Sequence, residues 1–139
     1  MKAKISWLED ARMEGESGSG HRVIIDGPES IGGRNQGMRP LELMLMSVGA
    51  CSTVDVISIL KKARQDVTDC TVEVEGQRVD AVPALFEKIH LSFKVSGNNL
   101  DENKVIRAVE LSAEKYCSAS IMLSNAGVVL THSVELIPL

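Results

Sequence analysis

Ala3, Ile5 and Trp7 fall on one face of a period-two segment, which predicts a strand at the N-terminus. The Gly/Ser cluster from Gly15 to Gly20 then turns the chain into a second apolar run, Val23-Ile24-Ile25, so the region reads as a hairpin. Asp26-Gly27-Pro28 closes it. A loop carrying Gly32, Gly33 and Gly37 leads on to Pro40. Proline suits the first turn of a helix, where the amide it lacks has no partner anyway. From there Leu41, Met44, Leu45, Val48, Ser52, Val56, Ile59 and Leu60 recur at helical spacing to about Arg64. Leu43, Met46, Val54 and Ile57 make the other side apolar as well. A helix apolar nearly all round needs cover on most faces. A chain this small can hardly supply it, so a second copy is expected to, in an obligate homodimer.

Two further strands follow the helix. Cys70, Val72 and Val74 share a face in the first; Ile89, Leu91, Phe93 and Val95 share one in the second. Pro83 in the link favours an irregular connection. A second helix is expected after a cap at Asn99 or Asp101, with Val105, Val109, Ala113 and Tyr116 on its stripe and Cys117 at its end. Asn125-Ala126-Gly127 stops helical continuation, and Val128, Leu130, Val134 and Leu136 lead into a last strand. The order β-β-α-β-β-α-β has no regular strand–helix alternation, so the class is α+β rather than a doubly wound parallel sheet.

With 139 residues, one domain spanning 1–139 is the expectation. Apolar residues at 44% and charged ones at 24% are those of a globular protein and exclude a disordered or low-complexity chain. A net charge of −4 and 3% aromatics argue against nucleic acid, which demands a basic face or stacking rings. The N-terminal residues lack the apolar core of a secretory signal. The longest uncharged apolar stretch, Leu43 to Val54, is short for a bilayer and ends at Asp55. A cytoplasmic protein with no membrane partner is expected, and its cysteines are then thiols rather than a disulfide framework.

Cys51 lies mid-helix in Gly49-Ala50-Cys51-Ser52. Gly49 is a poor helix former, costing about 1 kcal/mol relative to Ala. The small residues beside Cys51 suggest space for a group to approach the sulfur, whether substrate or packed helix. Cys117 is 66 positions away on a helix whose apolar stripe needs a common core, so only tertiary folding could bring the two together, while Cys70 has the inward parity of a packing residue. No Cys-x-x-Cys occurs, and His21, His90 and His132 stand singly, without metal-ligand spacing. The glycine-rich loop lacks the Gly-Lys-Ser/Thr ending that cradles phosphates.

Pro40-Leu41-Glu42-Leu43, Ala50-Cys51-Ser52 and Tyr116-Cys117-Ser118 together resemble the OsmC/Ohr family. Ser19-Gly20-His21, Asp55-Val56, Arg64-Gln65-Asp66, Leu111 to Ser118 and Thr131-His132-Ser133 make the chain most similar to its YhfA-like branch. The resemblance implies antiparallel sheets wrapped around a long buried central helix in an intertwined homodimer. It also implies a thiol-dependent peroxidase of organic hydroperoxides that protects against oxidative stress. Carried over by position, Cys51 is the peroxidatic thiol, Cys117 the resolving thiol, and Glu42 the acid that orients an activating arginine. A dithiol such as a lipoyl group can reset the pair. No metal, haem or flavin cofactor is implied.

A thiolate needs support, and Cys51 is too far into its own helix for that helix's N-terminus to help. A nearby cation is therefore expected. Arg12, Arg22, Arg34 and Arg39 are available, none in the family's local context. Nine helical steps separate Glu42 from Cys51, a rotation of about 900° and a rise of roughly 13 Å, so the two point to opposite sides. Glu42 is then expected to serve the partner's Cys51, or simply to cap its helix. A non-catalytic ligand-binding protein, or a redox sensor, on the same scaffold is the alternative reading.

Overall fold

Three strands, not two, open the chain. In the computed structural model, which describes residues 1–139, β1 (Ala3–Glu9), β2 (Arg12–Ser17) and β3 (Arg22–Asp26) form an antiparallel meander. Strand β2 escapes the sequence pattern because Asp10, with φ of 50°, turns the chain without glycine or proline. The next turn uses only the end of the Gly/Ser cluster, with Gly20 at φ of 89°. These strands belong to a compact unit of residues Met1–Met44. Within it the glycine-rich loop is tied to Asp26, whose carboxylate accepts the N–H groups of Gly27, Arg34 and Gln36 at 2.9, 2.9 and 3.1 Å. The loop is an anchored connection, and its chemistry is structural.

The long helix α1 runs Pro40–Lys62, close to its expected span. Its length and hydropathy would also suit a membrane crossing, yet Val48, Val56 and Leu60 are packed in a core and Asp55 interrupts its apolar surface. A carboxylate at that depth in lipid is costly. The helix is therefore read as the core helix of a folded unit.

The second unit, Leu45–Leu139, holds the other sheet. Strands β4 (Asp66–Arg78) and β5 (Phe86–Asn98) form a long antiparallel hairpin, and β6 (Val129–Ile137) lies on the other side of β5. The β5–β6 pair is parallel, the one pairing that departs from the antiparallel expectation. It requires a crossover, made by α2 (Glu102–Leu111), a π turn (Ser112–Tyr116) and α3 (Ser118–Asn125). Ile89, Leu91, Phe93 and Val95 of the central strand are buried in alternation and meet Val48, Val56 and Leu60 of α1 and Val105, Ala108 and Val109 of α2. Cys70 packs against this cluster, as its parity indicates.

The second helix differs from expectation in its last third. Asp101 caps it, accepting N–H bonds from Asn103 and Lys104 at 3.0 and 3.4 Å. Its α-helical turn ends at Leu111. The wider π turn then shifts the angular register of residues 112–116, leaving Tyr116 half exposed rather than on the buried stripe. Cys117 does not end this helix. Its backbone is extended, at φ −74° and ψ 103°, and it begins α3, a separate helix that periodicity alone does not resolve.

Gly49 receives a different explanation. A Cβ there would stand 2.8 Å from Val74 Cγ2, so the glycine admits strand β4 rather than a molecule approaching Cys51. Ala50, in contrast, is exposed. It joins Val54, Ile57 and Lys61 along a shallow groove of about 690 Å³ on the second unit.

Candidate active site

The site lies wholly within the second unit and is built from two elements. Helix α1 supplies Cys51 and, one turn on, Asp55; the junction before α3 supplies Cys117. Four residues along a helix return to nearly the same face, so Cys51 and Asp55 are neighbours by geometry alone. The crossover brings Cys117 to them. The two sulfurs and a carboxylate oxygen of Asp55 all lie within 4.8 Å of one another. Both thiols are free; Cys51 is half-buried and Cys117 fully buried.

Opening amides of α3 have no intrahelical partners and point toward its N-terminal end. The Ser120 N–H donates to Cys117 Sγ at 3.4 Å, so the sulfur is the cap of that helix. The Ala119 N–H donates to Cys51. One short helix thus directs donors at both sulfurs, the support that α1 could not give to Cys51 from its own N-terminus.

The two sulfurs differ in charge preference. At Cys51 the Ala119 N–H favours the thiolate, but burial, the hydrogen bond to Cys117 and the nearby Asp55 charge leave the pKa above the ordinary thiol value. At Cys117 burial opposes the charge. Donation from the hydroxyls of Ser120 and Ser52, the Ser120 N–H and the Cys51 thiol overcomes it, and the pKa is lowered. Cys117 is thus the sulfur more readily deprotonated, and a hydrogen bond joins it to Cys51. Burial and the Asp69 charge push Cys70 up, as befits an inert packing thiol.

Polar side chains around the pair are themselves fixed. Ser112 Oγ donates to Ser52 O at 3.3 Å and approaches Asp55 Oδ2 at 3.5 Å. A cavity of about 20 Å³ is lined in part by Ser52, Ser120, Thr131 and His132. It is large enough for one water-sized molecule. His90 is not part of this lining; its ring nitrogens engage Thr131 Oγ1 at 2.7 Å and Ser133 Oγ at 3.2 Å.

Glu42 belongs to the first unit, where its Oε1 accepts the Arg39 N–H at 2.8 Å and closes the first turn of α1. The candidate arginines are also in that unit. Arg12 pairs with Glu9 at 2.9 Å, Arg22 with Glu14 at 3.2 Å and Arg34 with Asp10 at 3.2 Å. Arg39 retains a buried Nη1 without a hydrogen-bond partner.

A long core helix against a small mixed sheet, with two free thiols meeting at the start of a short helix, defines a thiol-bearing α+β protein. Residues 33–133 match the family model described as OsmC-like protein, and the chain belongs to that family. It is 45% identical over 137 residues to Protein YhfA of Escherichia coli strain K12, covering 99% of this chain and 98% of that one. A structure from structural genomics is 44% identical, with a TM-score of 0.89 and full coverage of both chains. An organic hydroperoxide resistance protein OsmC from Legionella pneumophila shares the fold at 18% identity and a TM-score of 0.70, covering 96% of this chain and 95% of that one.

Proposed function

We propose that this OsmC-like protein reduces organic hydroperoxides in the cytoplasm, with Cys51 and Cys117 as its redox pair. The whole chain, 1–139, acts as one domain and pairs with a second copy. The observation that carries this reading is the meeting of two unbonded sulfurs and the Asp55 carboxylate within 4.8 Å. The hydroperoxide resistance protein that shares the fold supports the substrate class by analogy.

The more accessible sulfur, Cys51, makes the attack. Cys117, deprotonated to its thiolate, takes the Cys51 proton across their hydrogen bond, leaving a Cys51 thiolate held by the Ala119 N–H. That thiolate takes the terminal oxygen of the hydroperoxide: an S–O bond forms, the O–O bond breaks, and the alkoxide collects the Cys117 proton to leave as alcohol. Cys51 is then a sulfenic acid. The Cys117 thiolate attacks its sulfur, and hydroxide leaves with a solvent proton as water. One hydroperoxide and two thiols become alcohol, water and a disulfide. A dithiol of the lipoyl class reduces that disulfide by exchange and is itself oxidised.

Pairing of two copies is supported by α1, whose exposed Ala50 and Val54 and half-buried Ile57 form an apolar strip next to Lys61; Val54 is 69% exposed. On helical periodicity, Glu42 is assigned to the Cys51 site of the second copy.

The test is single-turnover thiol loss in wild type, Cys51→Ser and Cys117→Ser, with cumene hydroperoxide and hydrogen peroxide used separately. Rapid loss of two thiols with the organic peroxide, absent in Cys51→Ser, supports the reading. Slow or equal loss in all variants overturns it and leaves a ligand-binding scaffold.

A further inference from the structure

We infer that Cys51, Asp55 and Cys117 also form a binding site for a thiophilic divalent cation of the Zn²⁺ class. The inference is independent of the peroxide chemistry and rests on the donor set. Two sulfurs and one carboxylate oxygen lie within 4.8 Å of one another. Around a tetrahedral zinc ion, such donors stand about 3.5–3.8 Å apart, from metal–ligand lengths near 2.3 Å for sulfur and about 2.1 Å for oxygen. Closing that difference takes only small side-chain movements. Two thiolates select zinc over the hard cations Mg²⁺ and Ca²⁺, which take oxygen ligands.

The surroundings suit a metal thiolate. The charges of two thiolates and a carboxylate exceed that of the ion by one, and the excess falls where the α3 amides of Ala119 and Ser120 already donate to sulfur. Ser112 Oγ, 3.5 Å from Asp55 Oδ2, is placed to orient the carboxylate from behind. Three protein ligands leave the fourth position of a tetrahedral ion to water. No linear motif announces the set, because the ligands come from α1 and from the start of α3.

Binding forms two Zn–S bonds and one Zn–O bond and releases to solvent the protons that the two sulfurs still carry. Nothing is oxidised or reduced. Both sulfurs are then committed to the ion, so metal binding and disulfide formation exclude each other. A zinc-loaded site is a protected, peroxide-silent form of the pair.

The test uses the reduced, chelator-treated full chain. Co²⁺ is titrated in, followed by displacement with Zn²⁺ and measurement of proton release in weak buffer. The expected result is a thiolate-to-cobalt charge-transfer band saturating at one ion per chain, with at least one and at most two protons released per Zn²⁺. Asp55→Asn weakens binding at least about tenfold while keeping the band; Cys51→Ser and Cys117→Ser lose the two-thiolate spectrum; Cys70→Ser matches wild type. Oxidising wild type to the disulfide abolishes binding and reduction restores it, a control that needs no variant to fold. Absence of the band, its persistence at wild-type intensity in either serine variant, or wild-type affinity in Asp55→Asn overturns the site.

Discussion

The backbone N–H of Ser120 is 3.4 Å from the sulfur of Cys117, which makes a cysteine the cap of helix α3. Serine, threonine, aspartate and asparagine are the usual residues at such a position because an oxygen accepts the free amides. Sulfur is a weaker acceptor as a thiol and a strong one as a thiolate. Helix capping and thiolate formation at Cys117 therefore favour each other.

Removing the hydroxyls that face Cys117 should weaken its preference for the thiolate. In chelator-treated protein, Ser52→Ala and Ser120→Ala are each expected to raise the Cys117 pKa, because the hydroxyls stabilise only the charged form against the cost of burial. Ultraviolet thiolate absorbance followed against pH reads this directly. A titration unchanged from wild type in both variants removes the serines from the account.

The two cysteines should fail differently. Cys117→Ser is expected to react once with organic hydroperoxide and stop at a Cys51 sulfenic acid, trapped by dimedone and seen by intact mass. Cys51→Ser should form no such adduct at Cys117, which is fully buried. Equal adducts in the two variants would mean the order of attack is wrong.

Gly49→Val tests the close approach of α1 to β4. Helix propensity predicts a gain relative to glycine of a few tenths of a kcal/mol. Contact with Val74 Cγ2, 2.8 Å from the new Cβ, predicts a loss. Overpacking in a filled core costs about 1–3 kcal/mol, so the net effect is destabilisation. Urea unfolding with an unchanged m-value would confirm it, and a stabilised variant would show that the strand can yield.

Asp26 should make the first unit acid-sensitive. Its pKa is lowered from 3.8 by the N–H groups of Arg34 and Gln36, by that of Gly27 and by the charge of Arg39, against an opposing effect of burial. A carboxylate with a depressed folded pKa contributes stability above its unfolded value, and that contribution is lost as pH falls through the folded one. Protection against hydrogen exchange at residues 27–37, corrected for the intrinsic rate, is expected to fall below about pH 3.8, the ordinary value, in wild type. In Asp26→Asn it should be low at neutral pH already. Constant protection across that range in wild type would sink this prediction.

Where the sequence repeats at a fixed period, the fold is readable from it. Helix α1 and the alternation Ile89, Leu91, Phe93, Val95 emerge from periodicity, since burial acts on every turn or every second residue. The pair Cys51 and Cys117 can be named from sequence resemblance; their meeting depends on a crossover between remote segments. Asp55 enters the sequence reading only as the end of an apolar stretch and within a family motif. Its place four residues after Cys51 is the signal that could have found it. Ser120, three residues after Cys117, has the spacing of a capping partner, but α3 is hidden by the apparent continuity of the stripe through Tyr116. A π turn changes the period without changing composition, so pattern reading cannot detect it. Strand β2 is lost for a similar reason, because Asp10 adopts a left-handed turn that its residue type permits without advertising.

Parallel pairing of β5 with β6 imposes a length constraint of its own. A hairpin can gain or lose residues at its tip without disturbing what its strands carry, and the Val79–Leu85 link between β4 and β5 is such a place. The path from Asn98 to Val129 must traverse the sheet before the last strand can join, and it delivers Cys117 partway along. A single residue inserted near the π turn would rotate or displace that sulfur while the strand still docked. Insertions are therefore expected to be tolerated in the first connection and to part Cys117 from Cys51 in the second, even where both variants fold.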